Sequence, residues 1–401
     1  MKIVVLHPRL GATGGAELLL VAQAHALRRA GHDVELSCFS WDEEAWRARV
    51  DGLPIRSLDE PAWLRPIETA FAPSPRRRAF VERAVAGADL VIAHNAPASA
   101  LAGAVAGRRA VWYCHEPPRL LYPRETQTRA FAARSWRPGA GALARGMALT
   151  GLREAVEARV GGPWARLREF DRRGVAALGA VIANSRLTAA AVREIYGRAC
   201  DAVVPPMVDD RGAPSRPSGV SPAPRVLCQS RLALEKNTEG ALLGFARFAA
   251  CRPGATLTIV GDGALRARLE RRARGLHADV RFVGHLDARA LDRARDQAEV
   301  FLAVPFDEPF GMVFVEAALR GLLVVASDHG GPAEIFDDGA MAELCDPASP
   351  RAIAAALARL TATPAEALDA RRLRAAEAMR ARYVPAVIEP RFVELIEALG
   401  R

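Results

Sequence analysis

Two glutamates eight positions apart, Glu308 and Glu316, carry the most specific chemical signal in the chain. The stretch DEPFGMVFVEAALRG (307–321) sets Phe310-Gly311 and the apolar run Met312 to Val315 between them. A glutamate at this spacing can bond both hydroxyls of a ribose, as acidic residues do in dinucleotide-binding folds. Gly311 lets backbone come close to a ligand. Free amides at the helix start near Gly311 and Met312 favour a phosphate or a sugar hydroxyl oxygen. Either glutamate alone also suits an ordinary surface or helix N-terminal position. The spacing together with Pro309-Phe310-Gly311 is what carries the chemistry.

Three further places offer site chemistry. SRLALEKN (230–237) brings Arg231 and Lys236 into one loop, where two cations and the amides of the next helix can hold a pyrophosphate. His115 directly follows the apolar segment RAVWYC, with Pro117-Pro118 stiffening the next turn, which suits an active-site role as well as a structural one. GATGG (11–15) puts Gly14 and Gly15 at the start of an amphipathic helix; this is a phosphate-friendly turn, without the Gly-x-Gly-x-x-Gly of a dinucleotide fingerprint. Asp-x-Asp does not occur, and no His/Cys/Asp cluster has metal-ligand spacing, so no metal and no cofactor are expected. A Gly-x-x-x-x-Gly-Lys-Ser/Thr loop is also missing, which argues against an ATPase.

The elements that must position these residues alternate. EVFLAV (299–304) reads as a buried strand, with Glu308 in the loop at its carboxyl end and Glu316 on the first turns of the following helix. Strand-like runs at 1–7, 33–39, 88–94, 109–114 and within 180–184 are each followed or preceded by helical segments. Alternation of this kind implies a parallel sheet covered on both faces. In the first helix Leu18, Leu19, Ala22, Ala26 and Leu27 fall on one face. Residues 211–225 hold four prolines with Gly and Ser and read as a linker. After it the alternation restarts with RVLCQS, ATLTIVGDG, VRFVGHL, EVFLAV and LLVVASD.

The expected fold class is therefore α/β, two tandem Rossmann-like domains facing across a cleft that is the default site. The expected domains are 1–210, with an Arg/Trp-rich helical insertion at 119–173, and 226–380. A C-terminal helix at 381–401 crosses back onto the first domain. Pro385 and Pro390 are expected to break the Arg/Ala-rich tail, with a last helix from about Arg391.

The chain has 401 residues, half of them apolar, with ample material for two cores. Its apolar runs are short and bounded by charges, so none is expected to span a bilayer. MKIVVLHPRL lacks the long apolar core of a secretory signal and reads as a first strand. Six scattered cysteines with no Cys-x-x-Cys suit free thiols in a reducing compartment, so a cytoplasmic location is expected. The formal net charge is +9, and the window 119–173, with twelve Arg against five acidic residues, holds seven of the excess charges. No nucleic-acid-binding signature accompanies them. A localised basic face fits an anionic membrane surface, and peripheral attachment to the inner face of the plasma membrane is the corresponding expectation.

Several of these motifs share one resemblance. The Glu308–Glu316 stretch closely resembles the Glu-x7-Glu motif of the retaining glycosyltransferases of family 4, and SRLALEKN resembles that family's Ser-Arg-Leu-x-x-x-Lys-Asn motif. GGAE (14–17), IVGDG (259–263, with Gly261) and GGPAEI (330–335) match the family in place and order. CHEPPRLLYP (114–123), with 167–209, resembles its mannosyltransferase subgroup; Glu116 departs from the Thr or bulky residue usual after the histidine.

The resemblance implies a metal-independent transfer of a hexose from a nucleotide sugar to a glycan or lipid-linked acceptor hydroxyl, with GDP-mannose preferred over UDP-glucose and UDP-N-acetylglucosamine. It implies that Glu316 binds ribose and Glu308 the hydroxyls of the moving sugar. Arg231 and Lys236 grip the diphosphate, amides near Phe310, Gly311, Met312 and Val313 hold phosphate and sugar, and His115 helps position the sugar. The competing readings are a nucleotide-sugar 2-epimerase of the same fold and a non-catalytic membrane-associated protein that binds nucleotide sugars.

Overall fold

The computed structural model describes residues 1–11, 14–60, 73–119, 121–122, 162–214, 216–337 and 339–401. The chain divides into two units: Met1–Met207 with Ala386–Arg401, and Val208–Pro385. Most of the basic window expected to project from the first unit, including Trp136, lies outside the described residues.

The first unit runs β1 (Lys2–Leu10), α1 (Gly15–Arg29), β2 (Asp33–Trp41), α2 (Glu43–Trp46), β3 (Ile55–Ser57), α3 (Pro75–Ala84), β4 (Leu90–His94), α4 (Ala98–Ala106), β5 (Ala110–Cys114), α5 (Pro163–Ala177), β6 (Ala180–Ala183), α6 (Arg186–Tyr196) and β7 (Ala202–Val203). Its strands pair in parallel in the order β3-β2-β1-β4-β5-β6-β7. Both faces of the sheet are buried, so neighbours along a strand enter opposite cores. Ile3, Val5, Ile92 and Val111 pack with α1, while Val4, Leu6, Val91 and Trp112 pack with α3 to α5. In α1 the buried side is Leu19, Leu20, Gln23, Ala24 and Leu27; Leu18, expected on that face, is 40% exposed. Packing against the sheet sets the helix's rotation, and the buried face is centred on Leu20, Ala24 and Leu27, which leaves Leu18 at its margin.

The second unit runs β8 (Arg225–Gln229), a single 3-10 turn (Leu234–Lys236), α7 (Thr238–Ala249), β9 (Thr256–Val260), α8 (Arg266–Arg274), β10 (Asp279–Gly284), α9 (Ala288–Gln297), β11 (Val300–Ala303), α10 (Met312–Leu319), β12 (Leu323–Ser327), α11 (Gly331–Ile335), β13 (Glu343–Cys345), α12 (Pro350–Ala362) and α13 (Ala365–Tyr383). The strands again pair in parallel, in the order β10-β9-β8-β11-β12-β13. The proline-rich stretch is fastened to this unit. The Arg216 guanidinium donates to the carbonyls of Arg295 (2.9 Å), Ala298 (2.5 Å) and Arg320 (2.9 Å), at the carboxyl ends of α9 and α10. A cation suits that place because helix C-termini leave carbonyls unpaired and carry partial negative charge.

The last helix, α14 (Pro385–Leu399), belongs to the first unit. Ile388, Phe392 and Ile396, four apart, bury one stripe in the same core as α1 and β5. Phe392 meets the Tyr113 ring edge-on at 6.2 Å. Pro385 opens this helix, but Pro390 lies inside it and does not break it as expected. A proline there forfeits one backbone bond, and burial of the three large apolar side chains outweighs that loss. No helix among the described residues is long and apolar enough to cross a membrane.

Phe392→Ala is expected to destabilise the first unit by about 3–5 kcal/mol, the usual cost of emptying a buried aromatic position. Urea titration followed by hydrogen exchange on β5 amides measures it. Unchanged protection would remove α14 from this core.

Candidate active site

In an open parallel sheet the ligand crevice lies beyond the carboxyl ends of the strands where the strand order reverses. In the second unit that point is between β8 and β11. Lys236 follows β8 and Glu308 follows β11, and the structure joins them. The Lys236 ammonium donates to both carboxylate oxygens of Glu308, at 3.0 and 2.7 Å. Neither side chain is well exposed, at 25% and 14%, so each charge would be costly without the other.

The loops that carry this pair are locked to one another. Asn237, which sequence reasoning left as part of a motif without a role, is the clamp. It adopts a left-handed conformation (φ 50°), accepts from the Gly240 amide at the start of α7, and donates to the carbonyls of Val304 (2.7 Å) and Pro347 (2.8 Å). One buried amide thus ties the loops after β8, β11 and β13 together. The Phe306 amide adds a bond to the Glu235 carbonyl at 2.9 Å. Arg231 is 71% exposed at its side chain and pairs with Glu235 at 2.7 Å, one turn from Lys236.

Gly261 sits in the neighbouring loop at φ 125°, and a Cβ there would stand 1.9 Å from the Ser230 carbonyl oxygen. The Leu232 amide bonds the Asp262 carbonyl alongside. Close packing of the Arg231 loop against the β9 loop is therefore the physical reason for glycine here.

Gly311, at φ 94°, caps α10, and a Cβ on it would press into the Phe314 ring and the Glu308 side chain. Glycine thus lets the chain turn from Glu308 straight into the helix, with no side chain over its first amides. Met312 and Val313 begin the helix, while the Phe310 side chain is a core group packed edge-on against Tyr383 at 5.3 Å. Phe310 is almost wholly buried, and its carbonyl lies close against Gly331.

Glu316, one turn further on, is held by a residue that sequence reasoning missed. Arg295, on α9 and nearly buried, bonds the Glu316 carboxylate and also donates twice to Gln229 Oε1, at 3.2 and 2.9 Å. This fixes the carboxylate's direction while leaving it about one quarter exposed. No spacing in the sequence links Arg295 to Glu316, because the contact crosses from one helix to another.

In the first unit the strand order reverses between β1 and β4, and three histidines gather there. His7 lies on β1, His94 ends β4, and His115 follows β5. His94 Nδ1 and His115 Nε2 are 3.0 Å apart, and their rings lie 5.2 Å apart between centroids. His7 Nδ1 accepts from the Arg9 amide at 3.1 Å, and its Nε2 meets the Asn95 amide at 3.1 Å. Tyr113 packs against His94 and His115 and donates its hydroxyl proton to the Val204 carbonyl.

All three imidazoles are buried, which disfavours their charged forms. Burial takes His7 down to about 4 and His115 down to about 3, and holds His94 well below its ordinary range. Of the three, sequence reasoning found only His115; His7 and His94 lie in segments that read as plain strands. Gly14 caps α1 and Gly15 begins it, but Ala12 and Thr13 of that turn lie outside the described residues. Among the described residues, no group of three or more His, Cys, Asp or Glu side chains is arranged to hold a metal.

Two family models match almost end to end. One described as "Glycosyltransferase Family 4" covers residues 13–211, and one described as "Glycosyl transferases group 1" covers 216–380. The chain belongs to glycosyltransferase family 4. Solved structures share the architecture. An Anabaena protein, Alr3699/HepE, solved with UDP and glucose, aligns over 99% of this chain and all of its own at a TM-score of 0.72 and 22% identity. Sucrose-phosphate synthase from Thermosynechococcus elongatus aligns over 100% and 99% at 0.74 and 18% identity. These likenesses show the two-Rossmann fold of this family 4 member.

Curated relatives match over shorter stretches. A glycogen synthase of Mycobacterium tuberculosis is 37% identical over 38% of this chain, and a GDP-mannose-dependent phosphatidylinositol dimannoside mannosyltransferase of the same species is 35% identical over 33%. The chain spans about a third of the length of these relatives, 36% and 34% respectively.

The histidine cluster makes stability depend on pH with a definite sign. The unfolded chain takes up protons on these residues near pH 6.5, whereas the folded cluster does so only near 4 and 3. Stability is therefore full above pH 6.5, falls as pH drops below it, and levels off only beneath the folded values. For His7 alone the loss is about 3 kcal/mol. Denaturant midpoints between pH 8 and 4 should fall, and His7→Asn should flatten the slope; an unchanged slope would contradict a buried neutral cluster.

Proposed function

We propose that the protein transfers a hexose from a nucleotide sugar to an acceptor hydroxyl with retention of the anomeric configuration, and that GDP-mannose is its preferred donor. The bonded pair Lys236–Glu308 at the switch point carries this reading. In a nucleotide sugar the outer phosphate and the sugar are joined through one oxygen, so a cation for the phosphate and a carboxylate for the sugar hydroxyls must be neighbours. Lys236 and Glu308 are such neighbours, beside a helix start kept open by Gly311. Glu316, aimed by Arg295 one turn along, takes the ribose.

Departure of the nucleotide diphosphate needs positive charge where negative charge develops. Lys236, Arg231 and the first amides of α10 supply it, and no metal is required. The departing phosphate takes the acceptor's proton, so no enzymic nucleophile is assigned. His115, neutral in its buried setting, bonds the moving sugar without adding charge. The names of the phosphatidylinositol mannosyltransferases favour mannose and a lipid-linked acceptor; that of glycogen synthase favours glucose and a glycan. The seven excess positive charges at 119–173 favour an acceptor at an anionic membrane surface.

Kinetics and calorimetry on conservative variants test the site. Glu316→Gln should weaken the nucleotide sugar and the bare nucleotide diphosphate alike. Glu308→Gln should lower turnover roughly 30- to 1000-fold. It should leave nucleotide diphosphate affinity unchanged or raised, because Lys236 is released to the phosphate. Both enzymes, and the wild type, should turn over undiminished in excess EDTA. Reversed behaviour of the two glutamates would exchange their roles, and activity restored only by Mg2+ would remove the metal-free scheme.

Sedimentation with liposomes tests the membrane part. Binding should need acidic lipid and weaken with salt, since each cation near such a surface contributes about 1 kcal/mol of screened attraction. Equal binding to neutral vesicles would refute it.

A further inference from the structure

The transfer reading uses one histidine of the three that meet between β1, β4 and β5. His94 ends β4 fully enclosed, and among the described residues its side chain makes one hydrogen bond, from Nδ1 to His115 Nε2 at 3.0 Å. Its other ring nitrogen, Nε2, is buried and has no partner among the described residues. An aliphatic side chain would fill the same position without stranding a polar atom, so packing does not explain an imidazole here.

Proton bookkeeping gives the pair a direction. Both rings are neutral, so a single proton lies between His94 Nδ1 and His115 Nε2. If His115 owned it, His94 would carry its own proton on the enclosed Nε2, as an N–H with no acceptor. If His94 Nδ1 owns it, the enclosed Nε2 is only an unfilled lone pair. Orphaned buried N–H groups are rarer than unfilled acceptors. His7 does not intervene: the Arg9 amide occupies its Nδ1, which puts its proton on Nε2. The Asn95 side-chain amide lies 3.1 Å from that Nε2 with its nitrogen nearest, and its N and O are exchanged here so that the oxygen accepts this proton. His115 Nδ1 has no partner among the described residues.

We propose that His94 is a positioning residue whose Nδ1–H donates to His115 Nε2. This fixes the His115 proton on Nδ1 and makes that ring a hydrogen-bond donor to a hydroxyl oxygen of the transferred sugar. The last step rests on the proposed transfer reaction; the tautomer does not.

The test combines spectroscopy with kinetics. In protein labelled with 15N-histidine, His115, assigned by its loss in His115→Gln, should show a protonated Nδ1 and an imine-type Nε2. In His94→Leu that fixed pattern should be lost and kcat should fall about tenfold, or 1.4 kcal/mol. Nucleotide diphosphate affinity should not change, and the melting temperature should be no lower. His94→Asn, whose amide N–H can stand in for Nδ1–H, should recover most of kcat. An imine-type Nδ1 on wild-type His115 would overturn the proposal, as would wild-type kcat in His94→Leu or an asparagine no better than leucine. If His94→Leu does not fold, the wild-type spectrum and His94→Asn decide. A wild type that turns over no nucleotide sugar would remove the transfer reading, while the spectrum would still decide the tautomer.

Discussion

A parallel strand must be followed by a crossover before the next can pair with it, and this constraint arranges everything else here. All strands of a sheet then deliver their carboxyl ends, and the loops after them, to one edge. Where the order reverses, between β1 and β4 and between β8 and β11, the crossovers leave towards opposite faces and the edge stays open. His7 and His94 stand on the strands flanking the first reversal, with His115 one strand further. Lys236 and Glu308 stand on the loops flanking the second. In each unit the residues suited to chemistry lie where covering helices cannot.

The two edges use opposite electrostatics. In the second unit charges are opposed and paired: Lys236 with Glu308, Arg231 with Glu235, Arg295 with Glu316. The two poorly exposed pairs, Lys236–Glu308 and Arg295–Glu316, spare their members an uncompensated charge, and an incoming diphosphate can replace a carboxylate as partner to a cation. In the first unit burial forbids charge, and the histidines meet as neutral donors and acceptors. The first kind of arrangement suits an anion, and the second suits a neutral hydroxyl, as the proposed function requires.

The second unit's arrangement is held by groups that touch no substrate in the proposed reaction. Asn237 joins three loops, Gly261 lets two loops pack backbone to backbone, and Arg295 aims Glu316 from another helix. Supporting contacts of this kind decide whether a site is fixed or loose.

Alternation of apolar strands with amphipathic helices was legible along the chain, because period-2 and period-3.6 patterns are local properties. The short strands β3, β7 and β13 were not, since two or three residues show no period. Glu308, Glu316, Arg231, Lys236 and His115 were also legible, because each belongs to a motif contiguous in sequence. By itself the sequence therefore determined the two-unit parallel α/β plan and marked the motif residues on which the proposed function rests. Only the tertiary structure decided that Lys236 bonds Glu308, that Arg295 holds Glu316, that His94 meets His115, and that α14 closes the first unit's core around Phe392. These contacts join residues from 21 to 279 positions apart. They exist only because strand order and helix rotation bring distant side chains together, and no local pattern records either.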